Sequence, residues 1–250
     1  MPVLDINCDM GESFGAWNMG QDNAILDHVT SANIACGFHA GDPMVMQATV
    51  HAAVARGVAI GAHPGLPDLQ GFGRREMVMS PAEIYALTLY QIGALHAFAQ
   101  AAGTRVHHVK PHGALYNMTA RQRSVADAVA HAVFDFDPRL QIYVANDNMM
   151  QAARAKGLPV AYEVFADRSY QDDGTITPRS QPGAMIEDES VALAQVRRMV
   201  FEGRVRAQSG QDVAIRADTL CIHGDQPGAL RFAQLLHQAL SQDGVTLQAT

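Results

Sequence analysis

Ionisable side chains in this chain gather in six short clusters, and each cluster directly follows an apolar run. The clusters occupy residues 7–12, 37–42, 63–65, 110–117, 166–168 and 223–225. Histidine or aspartate can activate water as a general base, and lysine, arginine or the N–H groups of glycine-containing loops can stabilise an oxyanion. Clusters of aspartate and histidine can instead hold a divalent metal ion that does both. The set therefore suits attack on a carbonyl carbon, and the residue types leave these routes open.

Histidines recur across these clusters. His39, His63, His112 and His223, four of the eleven histidines, follow four different apolar runs. A single histidine at the end of a strand is usually a hydrogen-bonded structural group, but four of them in corresponding places favour a shared site. Asp225 follows His223 closely enough to act as the carboxylate that orients its ring.

Lys110 closes an apolar run in a chain whose only other lysine is Lys156. Burial would lower the pKa of its ammonium group unless a carboxylate such as Asp9 or Asp167 lies beside it. Arg75 ends a GFGRR segment. Its planar donor group either grips a carboxylate through two hydrogen bonds or is a solvated surface charge.

Seven apolar runs must position these clusters, at residues 3–8, 32–36, 58–62, 106–109, 140–145, 160–165 and 219–222. Helical patterns lie between them at 43–56, 80–102, 147–156, 187–204 and 227–240, and the first two begin after the capping residues Asp42 and Ser80. Alternation of strand and helix predicts a parallel sheet, and closure into a barrel brings all strand ends to one rim. We predict an α/β fold, a TIM-like parallel β/α barrel of seven units, in a single domain over residues 1–250.

An open, doubly wound parallel sheet is the alternative architecture. Such a sheet often carries a glycine-rich phosphate loop after its first strand. Here Gly11, Gly15 and Gly20 do not fit GxGxxG, and GxxxxGK[ST] does not occur in the sequence. The barrel is therefore the favoured interpretation.

Composition narrows the range of partners. The formal net charge is −7 and the sequence has no basic patch, so we expect no nucleic-acid partner. No apolar stretch approaches the roughly 20 residues that span a bilayer, so we expect no membrane association. The three cysteines do not suggest a disulfide framework, and the first residues lack the pattern of a signal peptide. These features predict a cytoplasmic location.

The same clusters carry a resemblance to a known family. The segments DINCDMGESFG from residue 5, SANIACGFHAGDP from 31, GAHP from 61, GFGRR from 71, KPHGALYN from 110, EVFADRSY from 163 and HGDQP from 223 resemble the LamB/YcsF family. The resemblance implies a barrel similar to those of the glycoside hydrolase and deacetylase superfamily. It also implies ATP-dependent conversion of 5-oxo-L-proline to L-glutamate, carried out together with two partner subunits, B and C.

The residue types and the resemblance together lead to predicted roles. The predicted catalytic side chains are Asp9, His39, His63, Lys110, His112, Asp167 and His223. The predicted substrate-binding side chains are Asn7, Glu12, Arg75, Tyr116, Arg168 and Asp225. We expect Asp9 or Asp167 to act as general base, and Lys110 with His112 to stabilise an oxyanion or a phosphate. ATP is expected to be used with the partner subunits, and a divalent metal ion, if one is needed, would bind Asp9, His63 and His112.

Two other functions stay open at this point. The chain could be a metal-dependent amide hydrolase or carbohydrate deacetylase that needs neither ATP nor partners. It could also be a non-catalytic subunit that binds the substrate for its partners. The surplus of titratable groups at the predicted rim favours catalysis over binding alone.

Overall fold

A computed structural model describes residues 1–224 and 228–250 of the chain. Its strands are β1 (Val3–Met10), β2 (Ser31–Ala35), β3 (Ala59–His63), β4 (His108–Val109), β5 (Gln141–Val144), β6 (Val160–Phe165), β7 (Arg204–Arg206), β8 (Asp212–Ala214), β9 (Thr219–Ile222) and β10 (Thr246–Leu247). Seven of these strands pair in parallel in the order β1-β2-β3-β4-β5-β6-β9, and β9 pairs back with β1. The prediction of a closed, seven-unit parallel barrel is therefore confirmed, whereas the single domain over residues 1–250 stays a prediction.

Helices connect the strands of the barrel. They are α1 (Asp22–Ile25), α2 (Pro43–Ala55), α3 (Pro81–Ala101), α4 (Gly113–Arg121), α5 (Arg123–Phe136), α6 (Asp147–Ala155), α7 (Glu189–Glu202) and α8 (Ala229–Gln242), with a 3-10 helix at Leu26–His28. In the part of the chain that the structure describes, no helix combines the length and the apolar character needed to cross a membrane.

The two predicted helix caps are present. Asp42 Oδ1 accepts hydrogen bonds from the backbone N–H groups of Met44 and Val45 at 2.8 and 2.9 Å. Ser80 and Glu83 form a reciprocal capping box at the start of α3. Caps of this kind satisfy N–H groups that the first helical turn leaves without partners. Asp42 therefore has the structural role that its place before Pro43 indicates.

Four elements had no clear signal in the sequence. Helices α4 and α5 lie between β4 and β5, and strands β7 and β8 form an antiparallel ribbon separate from the barrel sheet. In that ribbon Val205 is buried, whereas Arg204, Arg206 and Asp212 are exposed. A short ribbon with so few apolar positions lacks the alternation that predicts a strand.

Strand β1 shows how one element serves both the apolar core and the polar lumen. Its even-numbered residues, Leu4, Ile6, Cys8 and Met10, belong to the hydrophobic core. Asp5, Asn7 and Asp9 instead hydrogen-bond to polar side chains of neighbouring strands. Successive side chains of a strand point to opposite faces, so these three line the inside of the barrel. A polar lumen therefore leads to the rim where β1 ends.

Candidate active site

Lys110 lies at the centre of a buried charge cluster in the mouth of the barrel. Its Nζ is 2.9 Å from Asp9 Oδ1 and 2.9 Å from Glu163 Oε1, and it donates to Asn7 Oδ1 at 3.2 Å. Burial by itself would lower the pKa of this ammonium group, but Asp9, Cys221 and Glu163 raise it well above its usual value. Lys110 is therefore a permanent cation, held between carboxylates of β1 and β6.

Asp9 links this lysine to the nearby histidines. Its Oδ1 accepts a hydrogen bond from Asn33 Nδ2 at 2.9 Å, and its Oδ2 lies 3.3 Å from His63 Nε2. Burial favours the neutral acid, but the charges of His63 and Lys110 outweigh it and hold the pKa of Asp9 well below its usual range. The Asp9 carboxylate is therefore ionised at neutral pH. It is also the carboxylate neighbour that an apolar setting of Lys110 requires.

Three histidines and one glutamate form a second buried cluster beside Asp9. They are Glu12, His39, His63 and His112, and one ligand atom of each lies within 4.8 Å of the others. The rings of His39 and His112 stack with their centres 3.7 Å apart, and His39 Nε2 is 3.3 Å from Glu12 Oε1. His63 Nε2 lies 2.9 Å from His112 Nδ1. The four residues come from the ends of β1, β2, β3 and β4, so the cluster depends on the barrel order.

The surroundings keep two of these histidines neutral. Burial, with the charge of His63, lowers the pKa of His112 to about 3. Burial and the two neighbouring histidines also lower the pKa of His39 well below its usual value. Neutral imidazole nitrogens and carboxylate oxygens are the ligands of Zn²⁺ and related transition metals. The cluster can therefore hold a metal ion; it contains the predicted ligands His63 and His112, and the third predicted ligand, Asp9, borders it.

His223 forms a third group with Asp167. His223 Nδ1 is 3.0 Å from Asp167 Oδ2, and its Nε2 is 3.4 Å from Arg179 Nη2. Burial raises the pKa of Asp167, but the bond to His223 outweighs it and the pKa is lowered. The charge of His223 also helps to lower the pKa of Asp9, so the two groups share one rim. Asp225, predicted as the partner of His223, lies outside the described residues.

A cavity of about 290 Å³ opens beside this pair. Asp167, Glu187 and His223 are the polar groups on its wall, next to Phe232 and other apolar side chains. A small polar molecule that entered the barrel mouth here would meet the Asp167–His223 pair directly.

Two predicted arginines make contacts that differ from substrate binding. Arg168 is buried and donates hydrogen bonds to the backbone carbonyls of Thr177 and Ala184, which ties it to the long loop after β6. Arg75 is exposed and forms an ion pair with Asp68. Both side chains therefore stabilise loops around the rim.

Glu163 and Asn33 belong to the site, although neither is among the residues predicted from the sequence. Besides pairing with the lysine, Glu163 accepts a hydrogen bond from the predicted binding residue Tyr116 at 2.8 Å. Asn33 donates to Asn7 Oδ1 at 2.7 Å. Both are polar residues inside otherwise apolar runs. Because buried polar groups need partners, that position was a usable signal.

Comparisons with known proteins agree with this arrangement. The model of the LamB/YcsF family matches residues 4–250. A relative from Bordetella bronchiseptica, one of two copies named as the A subunit of 5-oxoprolinase in that organism, is 67% identical over 248 residues, which are 99% of each chain. The crystal structure of a lactam utilization protein from Thermus thermophilus is similar with a TM-score of 0.96 at 51% identity, covering 100% of both chains.

A more distant likeness concerns the fold alone. A deacetylase solved with its substrate matches with a TM-score of 0.51 at 12% identity, over 98% of this chain and 87% of that one. It agrees with the expected similarity to the deacetylase barrels. The family match over nearly all residues and the high identity lead to one conclusion: this chain belongs to the LamB/YcsF family.

Proposed function

We propose that the chain is the A subunit of an ATP-dependent 5-oxoprolinase and that its barrel opens the ring of 5-oxo-L-proline to give L-glutamate. The observation that carries this proposal is the buried Lys110 ammonium group, held between Asp9 and Glu163 beside the histidine cluster. A fixed cation in a buried site stabilises the negative charge that develops on an amide oxygen when water attacks the carbonyl carbon. The name of the relative that is 67% identical supports the choice of substrate.

Lys110 and His112 are the proposed groups that stabilise the oxyanion or a phosphate. An ammonium group has three N–H donors, and the contacts to Asp9, Glu163 and Asn7 already engage three acceptors. A substrate oxygen would therefore displace the longest of these contacts, at 3.2 Å to Asn7. The lysine stays charged because both carboxylates remain in place.

His223 backed by Asp167 is the proposed base that takes a proton from water. A histidine oriented by a carboxylate is a recurring catalytic arrangement. The strongly lowered pKa of Asp9 makes it the weaker base of the two candidates, although it touches the cation. Arg179 lies near His223 at the open rim and is the proposed anchor for the substrate carboxylate, since Arg168 is engaged by loop carbonyls.

ATP and the partner subunits B and C are proposed to activate the lactam. An unstrained amide is a poor electrophile, and phosphorylation of its oxygen by the partners would correct this. Water then adds to the lactam carbon, the C–N bond breaks with its electron pair on nitrogen, and nitrogen takes up a proton. A second water releases phosphate from the acyl phosphate and leaves glutamate. We place this complex in the cytoplasm, which the three buried free cysteines favour.

The histidine–glutamate cluster favours one other candidate, a metal-dependent amide hydrolase or deacetylase that needs no ATP. When bound, a divalent ion supplies Lewis-acid polarisation of a carbonyl and lowers the pKa of bound water. The residues that would hold it are Glu12, His39, His63 and His112. Release of acetate from acetylated sugars by the chain alone would support this candidate.

Reconstitution tests the proposed function. The chain is mixed with subunits B and C, and glutamate and ADP are measured from 5-oxo-L-proline with and without ATP. We expect both products only when all three subunits and ATP are present. Cleavage of ATP by the chain alone in the presence of 5-oxo-L-proline would overturn the proposed division of labour. Glutamate formation without ATP would contradict the coupling itself.

A further inference from the structure

Two histidines of the mouth face each other with atoms that cannot form an ordinary hydrogen bond. His63 Nδ1 lies 2.6 Å from the carbonyl oxygen of Lys110, and His112 Nε2 lies 2.8 Å from the carbonyl oxygen of Phe72. A carbonyl oxygen only accepts, so these two nitrogens carry the hydrogens. In neutral rings, the remaining nitrogens, His63 Nε2 and His112 Nδ1, present lone pairs to each other at 2.9 Å.

Two lone pairs at this distance need a cation, either a proton or a metal ion. The atoms around them favour the metal ion. Glu12 Oε1 lies 3.7 Å from His112 Nδ1 and 3.3 Å from His39 Nε2. Ligand atoms around a tetrahedral Zn²⁺ with bonds of 2.0–2.1 Å are about 3.3 Å apart, and the observed separations lie on both sides of that value. A shared proton would need only two of these four groups.

The supporting shell points the same way. Metal-binding histidines generally donate their second N–H to a carboxylate or a backbone carbonyl, which fixes the ring and its tautomer. His63 and His112 both do this. His39 Nδ1 is buried and has no hydrogen-bond partner among residues 1–224 and 228–250, so stacking on His112 and the contact to Glu12 hold this ring.

The backbone of Phe72 adds an independent observation. It is the one non-glycine residue in the described ranges with a positive φ, at 54°. This conformation is unfavourable for a residue with a side chain, by about 1–2 kcal/mol. The same residue presents its carbonyl to His112 Nε2. Backbone strain that serves to fix one histidine tautomer is typical of a functional site.

We infer that Glu12, His39, His63 and His112 bind one divalent transition-metal ion of the zinc type, with His63 Nε2 and His112 Nδ1 among the ligand atoms. Asp9 borders the ion through His63 and keeps its ion pair with Lys110. The site draws on residues after four successive barrel strands, and it does not depend on which amide the protein hydrolyses.

Direct metal binding tests the inference without substrate, ATP or partners. The full chain is stripped with a chelator, dialysed and titrated with Zn²⁺ by calorimetry, and Co²⁺ absorption reports the ligand field. We expect one Zn²⁺ per chain and a higher melting temperature with Zn²⁺. His63→Ala and His112→Ala should each weaken binding about 100-fold or more, since loss of even a supporting residue costs 10–100-fold. His131→Ala, at an exposed histidine paired with Asp135, is the matched control and should bind as the wild type does.

The wild-type titration decides the matter even if a histidine variant fails to fold. Absence of Zn²⁺ and Co²⁺ uptake by the folded wild type would overturn the inference and leave a shared proton between His63 and His112. Equal binding by wild type and a folded His63→Ala variant would also overturn it, because the ion would then lie elsewhere. Neither result would bear on 5-oxo-L-proline hydrolysis, which the reconstitution tests separately.

Discussion

Asp5 and Asp9 lie four residues apart on β1 and both point into the barrel, yet their surroundings shift their pKa values in opposite directions. Asp5 accepts hydrogen bonds from the hydroxyl groups of Thr30, Ser31, Tyr143 and Thr219. Burial outweighs these bonds and raises the pKa of Asp5. Asp9 is also buried, but the charges of His63 and Lys110 lower its pKa.

The difference separates the floor of the barrel, around Asp5, from its mouth, around Asp9. Neutral hydroxyl donors satisfy the carboxylate at the floor but do not offset the cost of burying its charge. A full positive charge at the mouth does. One hydrogen-bond chain still joins the two, because Asn7 donates to Thr219 Oγ1 at 2.7 Å and accepts from Lys110. We therefore expect the floor to serve stability and the mouth to serve chemistry.

Lys110→Met should give the largest effect and tests the mouth directly. Loss of the cation should reduce glutamate release by the reconstituted complex about 1,000-fold, the upper range for removing one oxyanion-stabilising group. It also leaves Asp9 and Glu163 buried without their counter-ion, which should lower the free energy of unfolding by about 3–5 kcal/mol. The measurements are kcat, urea unfolding and calorimetric binding of 5-oxo-L-proline, whose affinity should change only a few-fold. Lys156→Met is the control, and sustained turnover in Lys110→Met would remove chemistry from this mouth.

Asp9→Asn and Asp5→Asn compare the two regions at matched positions. Asp9→Asn should lower kcat about 100-fold because it disturbs the charges around Lys110 and His63. Asp5→Asn should leave kcat within about threefold, since it keeps a hydrogen-bonding side chain far from the rim. Steady-state kinetics of the two variants in the same complex provide the test. Equal losses would show that floor and mouth are not functionally distinct.

The same two variants should change the pH dependence of stability in opposite senses. The folded pKa of Asp5 is raised, so its contribution is greatest below 3.8, the unfolded value, and declines as pH rises through the folded pKa. The folded pKa of Asp9 is lowered, so its contribution is complete above 3.8 and is lost as pH falls through the folded pKa. Urea unfolding from acid to neutral pH should show a shallower loss at acid pH in Asp9→Asn. In Asp5→Asn the decline with rising pH should be the part that disappears; slopes of the same sign would contradict the comparison.

Thr219→Val should give the smallest effect on activity and tests the link between floor and mouth. The change keeps the side-chain shape but removes the hydroxyl that donates to Asp5 and accepts from Asn7. Stability should fall by about 1–3 kcal/mol because buried partners lose a hydrogen bond, while kcat stays within a few-fold. Thr246→Val on exposed β10 is the matched control. A large loss of kcat with normal folding would show that the floor acts on the chemistry.

Much of the fold could be predicted because its signals are local. Seven apolar runs with helices between them indicate parallel strands, and the capping residues at α2 and α3 mark where two helices begin. Strands β4 and β10, with two residues each, and the ribbon of β7 and β8 are too short or too polar for such a signal. Their assignment depends on pairing with strands that are distant in the chain.

The site could be predicted only in part, for the same reason. An apolar run that ends in lysine called for a carboxylate neighbour, and the sequence offered Asp9 and Asp167 without a means to choose. Barrel closure brings Asp9 and Glu163 to Lys110, while Asp167 pairs with His223 on the neighbouring strand end. Glu163 lies inside a strand, so a search for polar residues at strand ends did not find it.

By itself, the sequence determined the class of fold and the chain positions of the polar clusters, because strand, helix and turn preferences act over a few residues. Only the tertiary structure decided which charges meet, which histidine nitrogens face each other, and which of two aspartates on β1 is ionised. These properties depend on distances of a few ångströms between residues that are far apart in the chain, such as Lys110 and Asn7, which are 103 positions apart. Strand register and barrel closure set those distances, and no local pattern encodes them.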